Sequence, residues 1–211
     1  MLKLDVLRST PLERDPFEYV IVKDFVDHQK LKAVLADYPD VPGPGSHPPD
    51  GLNISGHFKE FIDELLGPSF QNVVEEKFDV DLANRPTMYT VRGFCRARDG
   101  KIHTDSRTKI ITVLLYMNER WQEDAGRLRL LRGPDNLDDY VAEVPPYGGT
   151  LLAFRRSDNS WHGHKPISGP RRAIQLNWVT SQAVVDAEQN RHGFSTRLKR
   201  LKNLFVRSSA A

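Results

Sequence analysis

Cysteine is nearly absent from this sequence. Cys95 is the only one in 211 residues, so no internal disulfide can form and nothing in the cysteine usage points to an oxidising compartment. Long apolar runs are missing too. The longest, residues 110–117, is far short of a membrane span, and residues 1–15 carry charges every few positions with no leader-like apolar stretch. The expectation is a cytoplasmic protein with no transmembrane segment. Charge of one sign is also scarce. Thirty Lys and Arg against 28 Asp and Glu leave a net +2, too small an excess to call for a nucleic-acid partner. There is no internal repeat and no low-complexity tract. What is present is ordinary: 39% hydrophobic and 27% charged residues, enough to bury one core.

The first third reads as mixed and largely helical. Residues 19–25 are β-branched and strand-like. Val26, Leu31, Val34 and Leu35 then follow near-helical spacing until Pro39. Residues 41–51 hold four prolines and three glycines, which predicts a loop, and a lid is one use for it. Phe58, Phe61, Ile62, Leu65 and Leu66 predict an amphipathic helix; Gly67-Pro68 breaks it, and 70–78 resumes the pattern. Beyond Pro86 the character changes. Short strand-like runs at 88–91, 109–117, 127–131, 140–144, 150–154 and 172–179 alternate with turn signals. The reading is an α+β, mainly β chain: one domain with a helical N-terminal layer (1–86), an antiparallel double-sheet or jelly-roll core (87–180) and a helical C-terminal tail (181–211).

Two stretches carry chemistry. In an extended segment residues two apart face the same side, so His103 and Asp105 converge while Thr104 turns away. Imidazole plus carboxylate suits a borderline or hard divalent metal, although such a short pair alone is weak evidence. The second stretch is Ser160-Trp-His-Gly-His-Lys-Pro. His162 lies 59 positions after His103 (162 − 103), and Arg171 nine further on (171 − 162). Two histidines and one carboxylate on one metal face leave three positions open, the facial triad of non-haem iron(II) oxygenases. Two positions take a bidentate 2-oxo acid and the third takes O2. Along the following strand Arg171, Ala173, Gln175 and Asn177 share one polar face, and Ile174, Leu176 and Trp178 share the other. A buried guanidinium is costly unless paired, and a dicarboxylate would pair it. The ligand set alone also fits a zinc or manganese cupin-type hydrolase or isomerase. The fold alone fits a non-catalytic ligand-binding module.

From residue 88 to 179 these motifs, in this order, resemble the prolyl-4-hydroxylase-like branch of the iron(II)/2-oxoglutarate-dependent oxygenases. His103-Thr-Asp105 matches the H-x-D. Ile111-Thr-Val-Leu-Leu-Tyr116-Met-Asn118 is similar to the next strand. Glu119-Arg-Trp121 and Gly126-Arg-Leu-Arg-Leu130 resemble the following hairpin, with Arg127 where the family usually has a second glycine. Pro145-Pro-Tyr-Gly-Gly-Thr-Leu-Leu-Ala-Phe154 resembles the strand leading to the distal histidine. The resemblance implies a double-stranded β-helix (jelly roll, cupin-like) and a dioxygenase. It implies Fe(II) at His103, Asp105 and His162, with 2-oxoglutarate anchored by Arg171 and Tyr116. Oxidative decarboxylation to succinate and CO2 would be coupled to hydroxylation of a substrate it does not identify: a protein side chain, a metabolite or a glycan. It also favours His162 over His164 as ligand, because the spacing to Arg171 fits.

Other residues are read more plainly. Trp161 is expected in the core rather than as a shield for the metal, Cys95 as an inert small hydrophobe, and Arg96 and Arg98 as solvated or facing an acidic substrate. Phe194, Leu198, Leu201 and Phe205 alternate with basic residues, a basic amphipathic helix at 194–206. Docking on its own domain is the leading expectation; a partner or membrane surface is the alternative.

Overall fold

The computed structural model describes residues 1–188 and 190. Its elements, in chain order, are α1 (Leu4–Ser9), β1 (Tyr19–Val22), α2 (His28–Ala36), a 3-10 turn (Pro49–Gly51), α3 (Gly56–Leu65) and α4 (Pro68–Phe78). They continue with β2 (Thr87–Cys95), β3 (Lys109–Tyr116), β4 (Leu128–Leu131), β5 (Tyr140–Val144), β6 (Leu151–Arg155), β7 (His162–Gly163) and β8 (Gly169–Val179). Residues 182–188 are helical, and the expected basic helix at 194–206 lies outside the described residues.

The strands form two antiparallel sheets. The larger is ordered β1-β6-β3-β8-β2 and the smaller β5-β4-β7. This is the double-stranded β-helix with N-terminal helices packed on one sheet. Period-two alternation decides the layering. Ile111, Val113 and Leu115 of β3, Leu151 and Ala153 of β6, and Ile174, Leu176 and Trp178 of β8 point outward from the larger sheet. There they join Phe58, Phe61, Phe70 and Val74 of α3 and α4 in one apolar core. The opposite faces, with Leu152, Phe154 and Tyr116, meet Leu128, Leu130 and Val144 of the smaller sheet in a second core. Only this inner layer turns polar at one end, and the site lies there.

Four local features depart from the sequence reading. α1 was not anticipated, because only Leu7 of its six residues is buried and no period shows. β2 runs four residues past 91, with an irregularity between Arg92 and Phe94 that accommodates Gly93. The loop 41–51 is not free. His47 and Val91 exchange backbone hydrogen bonds of 3.0 and 2.8 Å, Pro44 bridges Phe94, and Val41 is buried. The segment therefore covers the outer edge of β2, where an exposed row of backbone groups would otherwise stand. Trp161, expected in the core, is half-buried and belongs to neither apolar cluster, because the turn at 157–160 carries it past the sheet.

Candidate metal centre

His162 sits on β7 and His103 in the connection from β2 to β3. Each donates its backbone N–H to the other's carbonyl at 3.0 Å, so the two residues stand directly opposite each other, with ring centroids 4.3 Å apart. Asp105 follows two residues later. One ligand atom from each of the three side chains falls within a common span of 4.8 Å. His103 is exposed, whereas Asp105 and His162 are buried, so the cluster opens to solvent on the His103 side.

The tautomers follow from the backbone. Nδ1 of His103 lies 2.8 Å from the Lys101 carbonyl and Nδ1 of His162 2.9 Å from the Ser160 carbonyl. A carbonyl only accepts, so each Nδ1 carries the proton and each Nε2 lone pair is left for a cation. Burial is the first cause that holds His162 down to about 4, with His103 adding to it; the ring is neutral at neutral pH. The Asp105 carboxylate accepts from Lys109 Nζ at 2.7 Å on Oδ1 and from the Thr112 hydroxyl at 2.5 Å on Oδ2. Burial would raise its pKa. The Lys109 ammonium, His162 and the two hydrogen bonds outweigh that, and it lies below the ordinary carboxylate range. Thr112 in turn accepts from Asn177 at 2.8 Å, and Asn177 from Gln175 at 3.3 Å, so a polar chain crosses from β8 to the triad.

The same cavity, about 130 Å³, is bordered by the triad, Tyr116, Arg171 and Gln175. Arg171 is buried at 5% exposure. Its Nε donates to the Gly126 carbonyl at 2.8 Å and one Nη to the Tyr116 hydroxyl at 3.4 Å, with the guanidinium carbon 5.1 Å from the Tyr116 ring. Among the described residues no carboxylate pairs with it. Burial raises the Tyr116 pKa more than Arg171 lowers it, so the hydroxyl keeps its proton. Gly126, the one glycine where two were expected, has φ +75 and supplies the carbonyl that orients Arg171. Arg127 turns away to Glu143 at 3.6 Å.

His164 also borders the cavity. Its Nδ1 bonds the Lys165 carbonyl at 2.9 Å, and its ring lies against Gly100. Burial, then the Arg171 charge, lower it to about 4. It stands outside the three-residue cluster. Arg96 and Arg98 do not line the cavity. Arg92, four residues before Arg96, does, and sequence reasoning missed it. The signal was available: on β2, Thr90 and Arg92 alternate with buried Val91. Cys95 is buried.

Residues 90–180 match the model of the 2OG-Fe(II) oxygenase superfamily. No curated protein matches the chain in sequence. Among solved structures, a prolyl-4-hydroxylase of Pseudomonas putida is similar at 18% identity, over 83% of this chain and 90% of its own, with a TM-score of 0.53. A prolyl 4-hydroxylase of Phytophthora capsici is similar at 16% identity, over 95% of this chain and 76% of its own, with a TM-score of 0.57. A viral collagen prolyl hydroxylase of Paramecium Bursaria Chlorella virus-1 is similar at 11% identity, over 82% and 94%, with a TM-score of 0.53. Identities this low speak for the shared fold. Residues 90–180, from within β2 to just past β8, are thus similar to the 2OG-Fe(II) oxygenase superfamily, and the three-residue cluster lies inside that stretch.

Proposed function

We propose that the protein hydroxylates an as yet unidentified substrate, with Fe(II) held by His103, Asp105 and His162 and the distal carboxylate of 2-oxoglutarate held by Arg171 and Tyr116. The donor set fits the ion: two imidazoles whose Nδ1 atoms are held by backbone carbonyls, which turns Nε2 toward the ion, and one ionised carboxylate. When bound, iron with 2-oxoglutarate and O2 supplies the oxidising power, yielding succinate and CO2; the protein contributes placement. Lys109 and Thr112 orient the Asp105 carboxylate. Phe154, its ring 5.0 Å from that of His162, helps keep water from the buried side. Hydroxylation, rather than another oxidation, is supported by the prolyl hydroxylases among the structural neighbours.

The observation that carries the co-substrate assignment is Arg171. A guanidinium buried without a carboxylate is expensive, and one aimed into a cavity beside a metal cluster is matched by a dicarboxylate spanning the two. A zinc hydrolase gives that guanidinium no partner. The test is release of labelled CO2 from 1-labelled 2-oxoglutarate with Fe(II) under air. Turnover by the wild type that His103→Ala or Arg171→Gln abolishes is the expected result. A wild type that shows neither turnover nor a visible charge-transfer band with Fe(II) and 2-oxoglutarate under argon would falsify the reading.

A further inference from the structure

The larger sheet lines up three residues on its inner face. Tyr116 of β3 is opposite Ala173 of β8, and Ala173 is opposite Arg92 of β2. With strands spaced at about 4.8 Å, Tyr116 and Arg92 stand roughly 10 Å apart, and between them lies only a methyl group. The cavity continues over that methyl. Arg171 and Tyr116 border one end, Arg92, Thr90 and Ser46 the other. Ser46 is placed there by the pairing of its loop with β2, and its Oγ accepts from Arg92 Nη2 at 3.0 Å.

The charges along this wall do not cancel. Lys109 neutralises Asp105. Asp99 is shared between Arg92, at 3.6 Å, and Arg96, at 3.4 Å, so one of the two is left over. Among the described residues Arg171 has no carboxylate partner. A divalent cation and a 2-oxoglutarate dianion would offset each other, and the loaded cavity would stay positive on the Arg92 side.

We infer that the substrate to be oxidised is a small carboxylate-bearing molecule, and that Arg92 with the Ser46 hydroxyl receives its carboxylate across Ala173 from the co-substrate end. This rests on the oxygenase reading above and adds the class of substrate. The guanidinium offers a planar fork, the Ser46 hydroxyl is free to donate, and Thr90 and Gln175 border the path between Arg92 and the triad. A cavity near 130 Å³ that must also admit 2-oxoglutarate favours a short acid over a bulky chain.

The test separates the two ends of the cavity. Enzyme loaded with Mn(II) and saturating 2-oxoglutarate, so that Arg171 is covered, is titrated calorimetrically with N-acetylglycine, its uncharged amide, or inorganic phosphate. The acid should bind, and its amide should bind about tenfold or more weaker, the scale of one charge-assisted hydrogen bond. Arg92→Gln should weaken the acid by a similar factor, and Arg92→Lys should restore part of it. In both variants the affinity for 2-oxoglutarate should stay within about twofold, since Arg171 is untouched. Melting curves establish that both variants are folded. Equal binding of acid and amide, phosphate binding in place of the acid, or no binding by any probe at tens of millimolar overturns the inference. So does a parallel loss of 2-oxoglutarate affinity in Arg92→Gln, which would give Arg92 to the co-substrate. Failure of the oxygenase reading shows separately, as absence of the Fe(II)·2-oxoglutarate band in the wild type.

Discussion

His103 and His162 bond each other through their backbones, N–H to carbonyl at 3.0 Å in both directions, while their rings lie 4.3 Å apart. The ligand positions are thus set by strand pairing rather than by the side chains. Exposed His103 can be truncated without disturbing that pairing. His103→Ala should change the stability of the metal-free protein by no more than about 0.5 kcal/mol, as for other surface positions. The same variant should lose the thermal stabilisation that Mn(II) confers on the wild type. A large drop in the metal-free melting temperature would contradict a purely metal-directed role.

Thr112 holds Asp105 Oδ2 at 2.5 Å and is itself held by Asn177. Thr112→Val keeps the shape and removes the hydroxyl. Metal affinity should fall by about 10- to 100-fold, the usual cost of losing a group that orients a ligand. Equilibrium titration with Fe(II) under argon measures it. Unchanged affinity would mean that Lys109 alone suffices to orient the carboxylate.

Arg171 predicts effects of opposite sign in the two states. Without co-substrate it is a buried cation that no carboxylate among the described residues pairs with, so Arg171→Met should leave the free protein as stable as the wild type or more so. With 2-oxoglutarate at a hundred times its dissociation constant the wild type should gain about 2.7 kcal/mol, and the variant should gain nothing. Urea titrations with and without ligand give both numbers.

His162 and His164 each titrate near 4 in the folded chain against an ordinary 6.5. Between those values the unfolded chain binds more protons than the folded one. Stability is therefore complete above about 6.5 and is lost as the pH falls through that window toward 4. The urea midpoint of the metal-free protein should drop over this range, and less steeply in His164→Gln. An identical slope in that variant would show that His164 is not held neutral.

Gly100 has φ +82, and a Cβ there would meet the His164 ring at 2.3 Å. Gly100→Ala should cost about 1–3 kcal/mol from the backbone conformation alone, before any displacement of the ring. Chemical denaturation checks the cost. A variant as stable as the wild type would mean that the turn can relax.

The legible parts were those that periodicity writes locally. β5 was read to the residue, and β3, β6 and β8 to within a few positions, because alternating apolar faces persist over five residues or more. The inner face of β8 was readable for the same reason, and with it the burial of Arg171. Two-residue β7 has no period to detect, and α1 buries a single side chain. The loop 41–51 looked unstructured, since proline and glycine conceal pairing that depends on the edge of β2.

The triad residues were named from spacing and chemistry, and the alternation of strand faces is a consequence of chain geometry that needs no tertiary information. Which groups meet across the cavity was decided only in three dimensions. The Nδ1 contacts that free both Nε2 atoms and the Lys109 and Thr112 hold on Asp105 join residues only two to seven apart, but they depend on a backbone path that no periodicity records; the pairing of His103 with His162 and the row of Tyr116, Ala173 and Arg92 join segments far apart in the chain. Sheet register sets those contacts. A slip of one residue would turn each of these side chains to the opposite face, and no local pattern records which partner strand lies alongside.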